Sequence, residues 1–283
     1  MSTVRMNGKE LSNKILEEIK KETIELKEKG ITPGLAVILV GEDPASQIYV
    51  RKKDEACKEL GFNSKVFNYP SSISQEELVS EIERINDMDE YDAILCQLPL
   101  PAHINPKIIA ETIAEHKDVD VLRDSNLGKI LTNENIIAPC TPSGIIRLLD
   151  EYQIETEGKH CVMVGRSNIV GKPMALMMLH RNSTVTICHS KTKNLKDICL
   201  TADILIVAVG KENLITEDMI KEGAVVIDVG INRDENNKVC GDVSRSAYEK
   251  TSYITPVPGG VGPMTISILM QNTLILAKNN KLK

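Results

Sequence analysis

No apolar run in these 283 residues is long enough to cross a bilayer; the longest, such as residues 204–209, fall far short of the roughly 20 needed. The opening residues Met1-Ser2-Thr3-Val4-Arg5-Met6-Asn7-Gly8-Lys9 lack the apolar core of a secretory signal. Lysine and arginine form no long run, and a formal net charge of −6 leaves no electrostatic footprint for nucleic acid. The seven cysteines never form a C-x-x-C pair and the five histidines are dispersed, so no structural metal is expected. Cys96, Cys161 and Cys188 sit inside apolar runs and read as reduced core residues, which points to a cytoplasmic protein. Internal repeats and low-complexity segments are also missing. An ordinary soluble balance remains, 42% hydrophobic and 26% charged, with length for two domains or one large one.

What the chain does have is alternation. Short apolar runs at 35–40, 65–69, 93–98, 161–164, 184–188, 204–209 and 224–229 read as strands. Between them, segments around 8–29, 44–60, 75–87, 106–115, 143–152, 172–180 and 217–221 carry helical periodicity, and 265–277 reads as a final long helix. This order predicts an α/β protein with parallel sheets covered by helices on both faces. Near residues 117–142 charges, Asn, Gly and Pro interrupt the pattern, which suggests a division with three strand–helix units before it and four strands after.

The second half opens on Gly165-Arg166-Ser167-Asn168-Ile169-Val170-Gly171-Lys172-Pro173, directly after the apolar residues 159–164. A strand, a tight glycine turn and a helix start place the phosphates of a nucleotide on backbone N–H groups. The match to the usual fingerprint is imperfect: Ser167 takes the place of the second glycine and Gly171 falls one residue late. After the next strand, Cys188-His189-Ser190-Lys191-Thr192 offers no carboxylate for a ribose 2′-hydroxyl. Arg166 with these hydroxyls suits a 2′-phosphate, favouring NADP over NAD; a polar loop that merely caps the strand is the alternative. The dense stretch Pro256-Val257-Pro258-Gly259-Gly260-Val261-Gly262-Pro263 is either a loop between domains or a place where backbone approaches a ligand.

In the first half, the 44–60 segment projected on a helix puts Val50, Ala56, Cys57 and Leu60 on one stripe together with Ser46, Tyr49 and Lys53. A lysine in a core-facing stripe must snorkel, pair with a carboxylate or face a cleft, where a desolvated amine can do acid–base work. Gln97 is the single polar residue of its strand and stands near the C-terminal end, where ligands of open α/β sheets gather. His116-Lys117-Asp118-Val119-Asp120 presents two carboxylates, either solvated or functional.

Taken together, Tyr49-Val50-Arg51-Lys52-Lys53, Gln97-Leu98-Pro99-Leu100-Pro101, Lys117-Asp118-Val119-Asp120, Pro139-Cys140-Thr141-Pro142, the Gly165–Pro173 turn and Pro256 through Thr265 occur in an order and spacing that resembles the bifunctional methylenetetrahydrofolate dehydrogenase/methenyltetrahydrofolate cyclohydrolase family. The resemblance covers essentially the whole chain. It implies two α/β domains with a cleft between them: a folate-binding catalytic domain over 1–138, to which a C-terminal helix at 264–283 returns, and a Rossmann-type NADP-binding domain over 139–263. It implies Lys53, Tyr49, Gln97 and Asp120 as catalytic residues. Ser46, Tyr49, Asp120, Pro258, Gly259 and Gly260 would bind substrate, with Asp120 accepting from the pterin N–H edge. Thr141, Gly165, Arg166, Ser167, Ile169, Ser190, Gly210, Gly230, Ile231, Gly262 and Thr265 would bind NADP. Similar enzymes are homodimers that pair through their cofactor domains. A cofactor-binding homologue that lost folate chemistry and serves as a regulatory or structural subunit is the competing reading. Its support is Val121, which stands where the family has glycine; a positive φ there would strain the turn that presents Asp120.

Overall fold

The computed structural model describes residues 3–282; Met1, Ser2 and Lys283, all expected in the folate-binding domain and its returning helix, lie outside the described residues. The elements run β1 (Val4–Arg5), α1 (Gly8–Glu28), β2 (Gly34–Val40), α2 (Pro44–Leu60), β3 (Asn63–Tyr69), α3 (Gln75–Asn86), β4 (Ala93–Cys96), α4 (Pro106–Thr112) and α5 (Asp124–Thr132). They continue with α6 (Cys140–Glu151), β5 (His160–Val164), α7 (Gly171–His180), β6 (Thr184–Cys188), α8 (Leu195–Cys199), β7 (Ile204–Val207), β8 (Val225–Asp228), β9 (Asn232–Arg233), β10 (Val239–Cys240), β11 (Tyr253–Ile254) and α9 (Val261–Lys281). Two compact units result, Lys14–Cys140 with Ile266–Lys283, and Met1–Asn13 with Thr141–Thr265.

The unit containing β2–β4 has a three-stranded parallel sheet in the order β3-β2-β4. Its central strand, Gly-Leu-Ala-Val-Ile-Leu-Val, is buried at every position, as a strand covered on both faces must be. Helix α2 starts on an Asp43 carboxylate that accepts from the Ser46 N–H, carries Pro44 in its first turn, and ends on Gly61 in the left-handed region. α3 has a full capping box between Ser74 and Glu77. The last turns of α9 belong to this unit, where Asn272 and Thr273 are buried and Lys278 pairs with Glu22.

The other unit is a six-stranded, wholly parallel sheet in the order β1-β11-β8-β7-β5-β6. The strand order reverses at β5, with β6 on one side and β7 then β8 on the other, which is the doubly wound arrangement. β9 and β10 form a small antiparallel hairpin.

β1 pairs with β11 at Val4↔Tyr253 and Arg5↔Ile254, so residues 3–13 cluster by contact with the six-stranded unit. A two-residue strand carries no periodicity of its own. The 93–98 strand stops at Cys96 and the 204–209 strand at Val207, so Gln97 and Val209 lie just past the ends. The 106–115 helix ends at Thr112, and 217–221 is one 3₁₀ turn over Glu217–Met219. The final helix begins earlier than 265, at Val261, with Pro263 in its first turn where its missing N–H does no harm. The 117–142 region, read as a break, holds α5. Its first turn is capped from outside: the Asp118 carboxylate accepts from the N–H groups of Leu122 and Arg123 (both 3.0 Å) and from Asn126 Nδ2 (2.9 Å), and Glu111 accepts from the Asp124 N–H.

Candidate functional site

Helix α2 presents the predicted stripe. Ser46, Val50, Lys53, Ala56, Cys57 and Leu60 are buried and Tyr49 is half-buried, whereas Arg51, Lys52 and Lys58 are exposed. Lys53 therefore does not snorkel. Its Nζ donates to Gln97 Oε1 at 2.8 Å, and the Gln97 amide is oriented by donating Nε2–H to the Leu98 carbonyl at 2.7 Å. Burial lowers the Lys53 pKa, with the Asp120 carboxylate pulling in the opposite direction. Gln97 lies at the C-terminal end of β4, held by its own N–H to the Ile38 carbonyl at 2.9 Å.

Asp120 reaches the same region by pairing. An isolated parallel bridge joins Ile94 to Asp118, so the chain advances beside β4 and Asp120 comes level with its end. One Asp120 oxygen accepts from the Cys140 N–H at 3.2 Å, at the start of α6, where the helix dipole favours a carboxylate. Asn272 of α9 grips the turn from both sides, donating to the Val119 carbonyl (3.1 Å) and the Ala138 carbonyl (2.9 Å). Val121 has φ +56, so this position does adopt the left-handed region. That conformation costs a β-branched residue about 1–2 kcal/mol. The side chain is only 1% exposed, and burying a valine returns roughly 1.5 kcal/mol or more, enough to offset the strain. The turn holds with valine in it.

In the six-stranded unit, every predicted nucleotide turn leaves the C-terminal edge of a strand. Gly165 follows β5 with φ +136, and a methyl group there would lie 2.4 Å from the Ala208 carbonyl oxygen. A methyl group on Gly171 would meet the Gly165 carbonyl oxygen at the same 2.4 Å. The late glycine is thus what lets the turn close on itself. Ser167 replaces the missing glycine with a hydroxyl that accepts from the N–H groups of Val170 (3.1 Å) and Gly171 (3.3 Å). The Arg166, Ser167 and Ser190 side chains are exposed, and the Gly165 N–H bonds to the Cys188 carbonyl, drawing the turn to the end of β6 that precedes Ser190. A glycine cradle with an exposed cation and hydroxyls beside it fits a dinucleotide bearing a 2′-phosphate. Gly210 follows β7 with φ +62, and Gly230 and Ile231 follow β8. The Thr141 and Thr265 hydroxyls lie 3.0 Å apart, and the Gly259 carbonyl accepts from the Lys9 N–H. Gly260 packs so closely on Gly8 that a methyl group on Gly8 would overlap its carbonyl oxygen, while Pro258 is exposed and Ile169 and Gly262 are half-buried.

Four residues without a role in the sequence reading take part: Cys140 and Asn272 around Asp120, and Asp228 and Asp242 beneath the turns after β7 and β8. Asp228 ends an apolar strand and Asp242 follows a glycine, and a carboxylate in such a run is the signal that was available. Asp228 is fully buried and its pKa is raised to about 6 by burial, against hydrogen bonds from the Asp242, Val243 and Gly230 N–H groups and with repulsion from Asp242. A carboxyl whose folded pKa lies above its ordinary 3.8 favours the protonated state, so its contribution to stability is full below pH 4 and lost as pH rises through 6. Asp228→Asn, a neutral isostere, is expected to remove that decline, worth about 3 kcal/mol at most. Thermal melts of both proteins between pH 4 and 7 check it, and parallel curves would refute it.

Seven cysteines are free, no cluster of three or more metal-ligating side chains occurs, and no helix is long and apolar enough to cross a membrane, all among the described residues. Comparison with known proteins extends the geometry. The family model for the tetrahydrofolate dehydrogenase/cyclohydrolase catalytic domain matches residues 6–120, and that for the NAD(P)-binding domain of the same family matches 139–281. A bifunctional protein FolD of Bacillus cytotoxicus is 51% identical over 279 residues, covering 98% of each chain. The crystal structure of the bifunctional enzyme FolD, methylenetetrahydrofolate dehydrogenase/cyclohydrolase, from Campylobacter jejuni superimposes with a TM-score of 0.96 at 49% identity, covering 99% of this chain and 100% of that one. The Trypanosoma brucei N5,N10-methylenetetrahydrofolate dehydrogenase-cyclohydrolase, complexed with NADP cofactor and an inhibitor, gives a TM-score of 0.95 at 36% identity over 99% of both chains. With the glycine cradle, the buried lysine and matches over both halves in agreement, this chain belongs to the tetrahydrofolate dehydrogenase/cyclohydrolase family.

Proposed function

We propose that this chain is a bifunctional one-carbon folate enzyme: it oxidises 5,10-methylenetetrahydrofolate to the 5,10-methenyl cation with NADP, then hydrolyses that cation to 10-formyltetrahydrofolate. The observation that carries the reading is Lys53, buried and bonded to Gln97 in the field of Asp120.

NADP supplies the hydride acceptor when bound. The residues that would hold it are Gly165, Arg166, Ser167, Ile169 and Ser190 at the first two turns, Gly210, Gly230 and Ile231 at the next two, and Thr141, Gly262 and Thr265. In hydrolysis, the lowered pKa of Lys53 lets its neutral amine accept a proton as water oxygen bonds to the methenyl carbon. The resulting ammonium returns that proton to N5 as the carbon–N5 bond opens, and the second water proton leaves to solvent as the formyl carbonyl forms. A neutral amine also avoids repelling the cationic substrate. Gln97 holds the amine in place through its oxygen. Asp120 receives the donor-rich edge of the pterin. Tyr49 stacks on the folate with Ser46 in support, and Pro258, Gly259 and Gly260 are assigned to the substrate as well.

We assign the protein to the cytoplasm, supported by its seven free cysteines. It is assigned as a homodimer pairing through the six-stranded unit. β6 stands at the edge of that sheet with its own Ile187 exposed, which suits a second copy.

Absorbance at the methenyl-folate band tests the function: purified protein with methylenetetrahydrofolate and NADP should generate the signal and then consume it. No NADP-dependent signal would favour the non-catalytic homologue. The support for that homologue was Val121, and its burial offsets the strain of the turn. Arg166→Ala is expected to weaken NADP binding about tenfold or more while changing NAD little, since a lost charge-assisted pair to phosphate is worth roughly 1.5 kcal/mol or more. Equal losses for both nucleotides would remove the 2′-phosphate role.

A further inference from the structure

Asp242 is fully buried, and its side chain collects four donors. Oδ2 accepts from the N–H groups of Val209 (2.7 Å) and Gly210 (3.1 Å); Oδ1 accepts from the Lys211 N–H (2.7 Å) and Asn232 Nδ2 (2.9 Å). Three successive backbone N–H groups aimed at one point form an anion-binding nest. Here the anion is the protein's own carboxylate, reaching from a segment more than thirty residues later in the chain.

This nest is the turn after β7. Ala208, its first residue, lies against Gly165, so closely that a methyl group on that glycine would overlap the Ala208 carbonyl. Through Asn232 the same carboxylate also ties down the segment after β8, and Gly230 packs so tightly on Asp242 that a methyl group would come within 2.3 Å of its carboxyl carbon. A second buried carboxylate lies underneath. Asp228 accepts from the N–H groups of Asp242 (2.9 Å) and Val243 (3.0 Å), and a methyl group on Gly241 would sit 1.8 Å from its Oδ2. The support is continuous: Asp228 holds the backbone of Asp242, and Asp242 holds both turns at the edge of the sheet where dinucleotides bind.

We propose that Asp242 is a positioning residue for NADP, holding the 209–211 and 230–232 turns in the shape that receives the nucleotide without touching it. This rests on the assignment of Gly210, Gly230 and Ile231 to the cofactor. A turn released from its carboxylate samples other conformations, and the nucleotide must then reorder it on binding, which weakens affinity.

The test compares wild type with Asp242→Asn in the full-length protein. An asparagine has the same shape but turns a donor toward donors, leaving buried N–H groups unpaired. Calorimetric titration should show the NADP Kd rising about tenfold or more. Without nucleotide, amide hydrogen exchange at residues 209–211 should accelerate at least about tenfold. KM for NADP should rise with Kd, while kcat at saturating NADP falls far less. Faster exchange with an unchanged Kd would overturn the proposal, as would a loss of kcat with an unchanged Kd. If Asp242→Asn fails to fold, Asn232→Ala decides: it deletes one donor and leaves the carboxylate, and an NADP Kd equal to wild type would overturn the proposal, whereas a rise of about threefold supports it. Failure of the wild-type protein itself to bind NADP would instead overturn the functional reading.

Discussion

Lys53→Met is expected to lower cyclohydrolase turnover by about a thousandfold, the scale of a lost general base, while NADP binds within about twofold of wild type. Methionine keeps the length and burial of the side chain and removes the amine proposed to exchange a proton with substrate. Lys53 belongs to the unit of β2–β4, and the nucleotide turns belong to the six-stranded unit, so the cofactor affinity has no reason to follow. The measurement is hydrolysis of methenyl-folate alongside calorimetric titration of NADP. Matched losses in both would end this division of labour, and retained hydrolysis would remove Lys53 from the chemistry. Methionine also leaves the Gln97 oxygen without the donor it has at 2.8 Å, so part of the effect is loss of order at that amide.

Gly165→Ala should give the opposite pattern: NADP affinity down about a hundredfold or more, with methenyl-folate hydrolysis preserved. Two independent problems coincide at this position. Its φ of +136 is a conformation that residues with a Cβ avoid, costing of order 1–3 kcal/mol, and the added methyl group would overlap the Ala208 carbonyl at 2.4 Å. The turn must open, and with it goes the backbone cradle at the start of α7, together with its neighbour after β7. Calorimetry and the hydrolysis assay on one preparation decide the matter. NADP binding as in wild type would mean the cradle is not the nucleotide site.

Residues whose roles are local were legible before the fold was known. The stripe on α2 put Lys53 among core residues because a helix repeats every 3.6 residues, and in the fold that helix runs from Pro44 to a left-handed Gly61 just past its end. The Gly165 turn was legible because an apolar run followed by glycine and a helix start is written in consecutive residues. α5 was not legible, because its cap is the Asp118 side chain together with Glu111 of α4 rather than a residue at its own start. Asp120 could be suspected but not placed; its position depends on the bridge of Asp118 to Ile94 and on Asn272, about 150 residues away.

By itself the sequence determined the alternation of strands and helices, the glycine turn with Arg166 beside it, and the presence of a lysine on a buried stripe, since each is a pattern within a few turns of chain. Tertiary structure decided what that lysine meets, that β1 joins the later sheet, that Val121 survives its strained φ through burial, and that Asp242 fills the nest after β7. Those outcomes depend on hydrogen bonds and packing between segments distant in the chain. No local periodicity encodes which buried carboxylate will find which unpaired N–H groups.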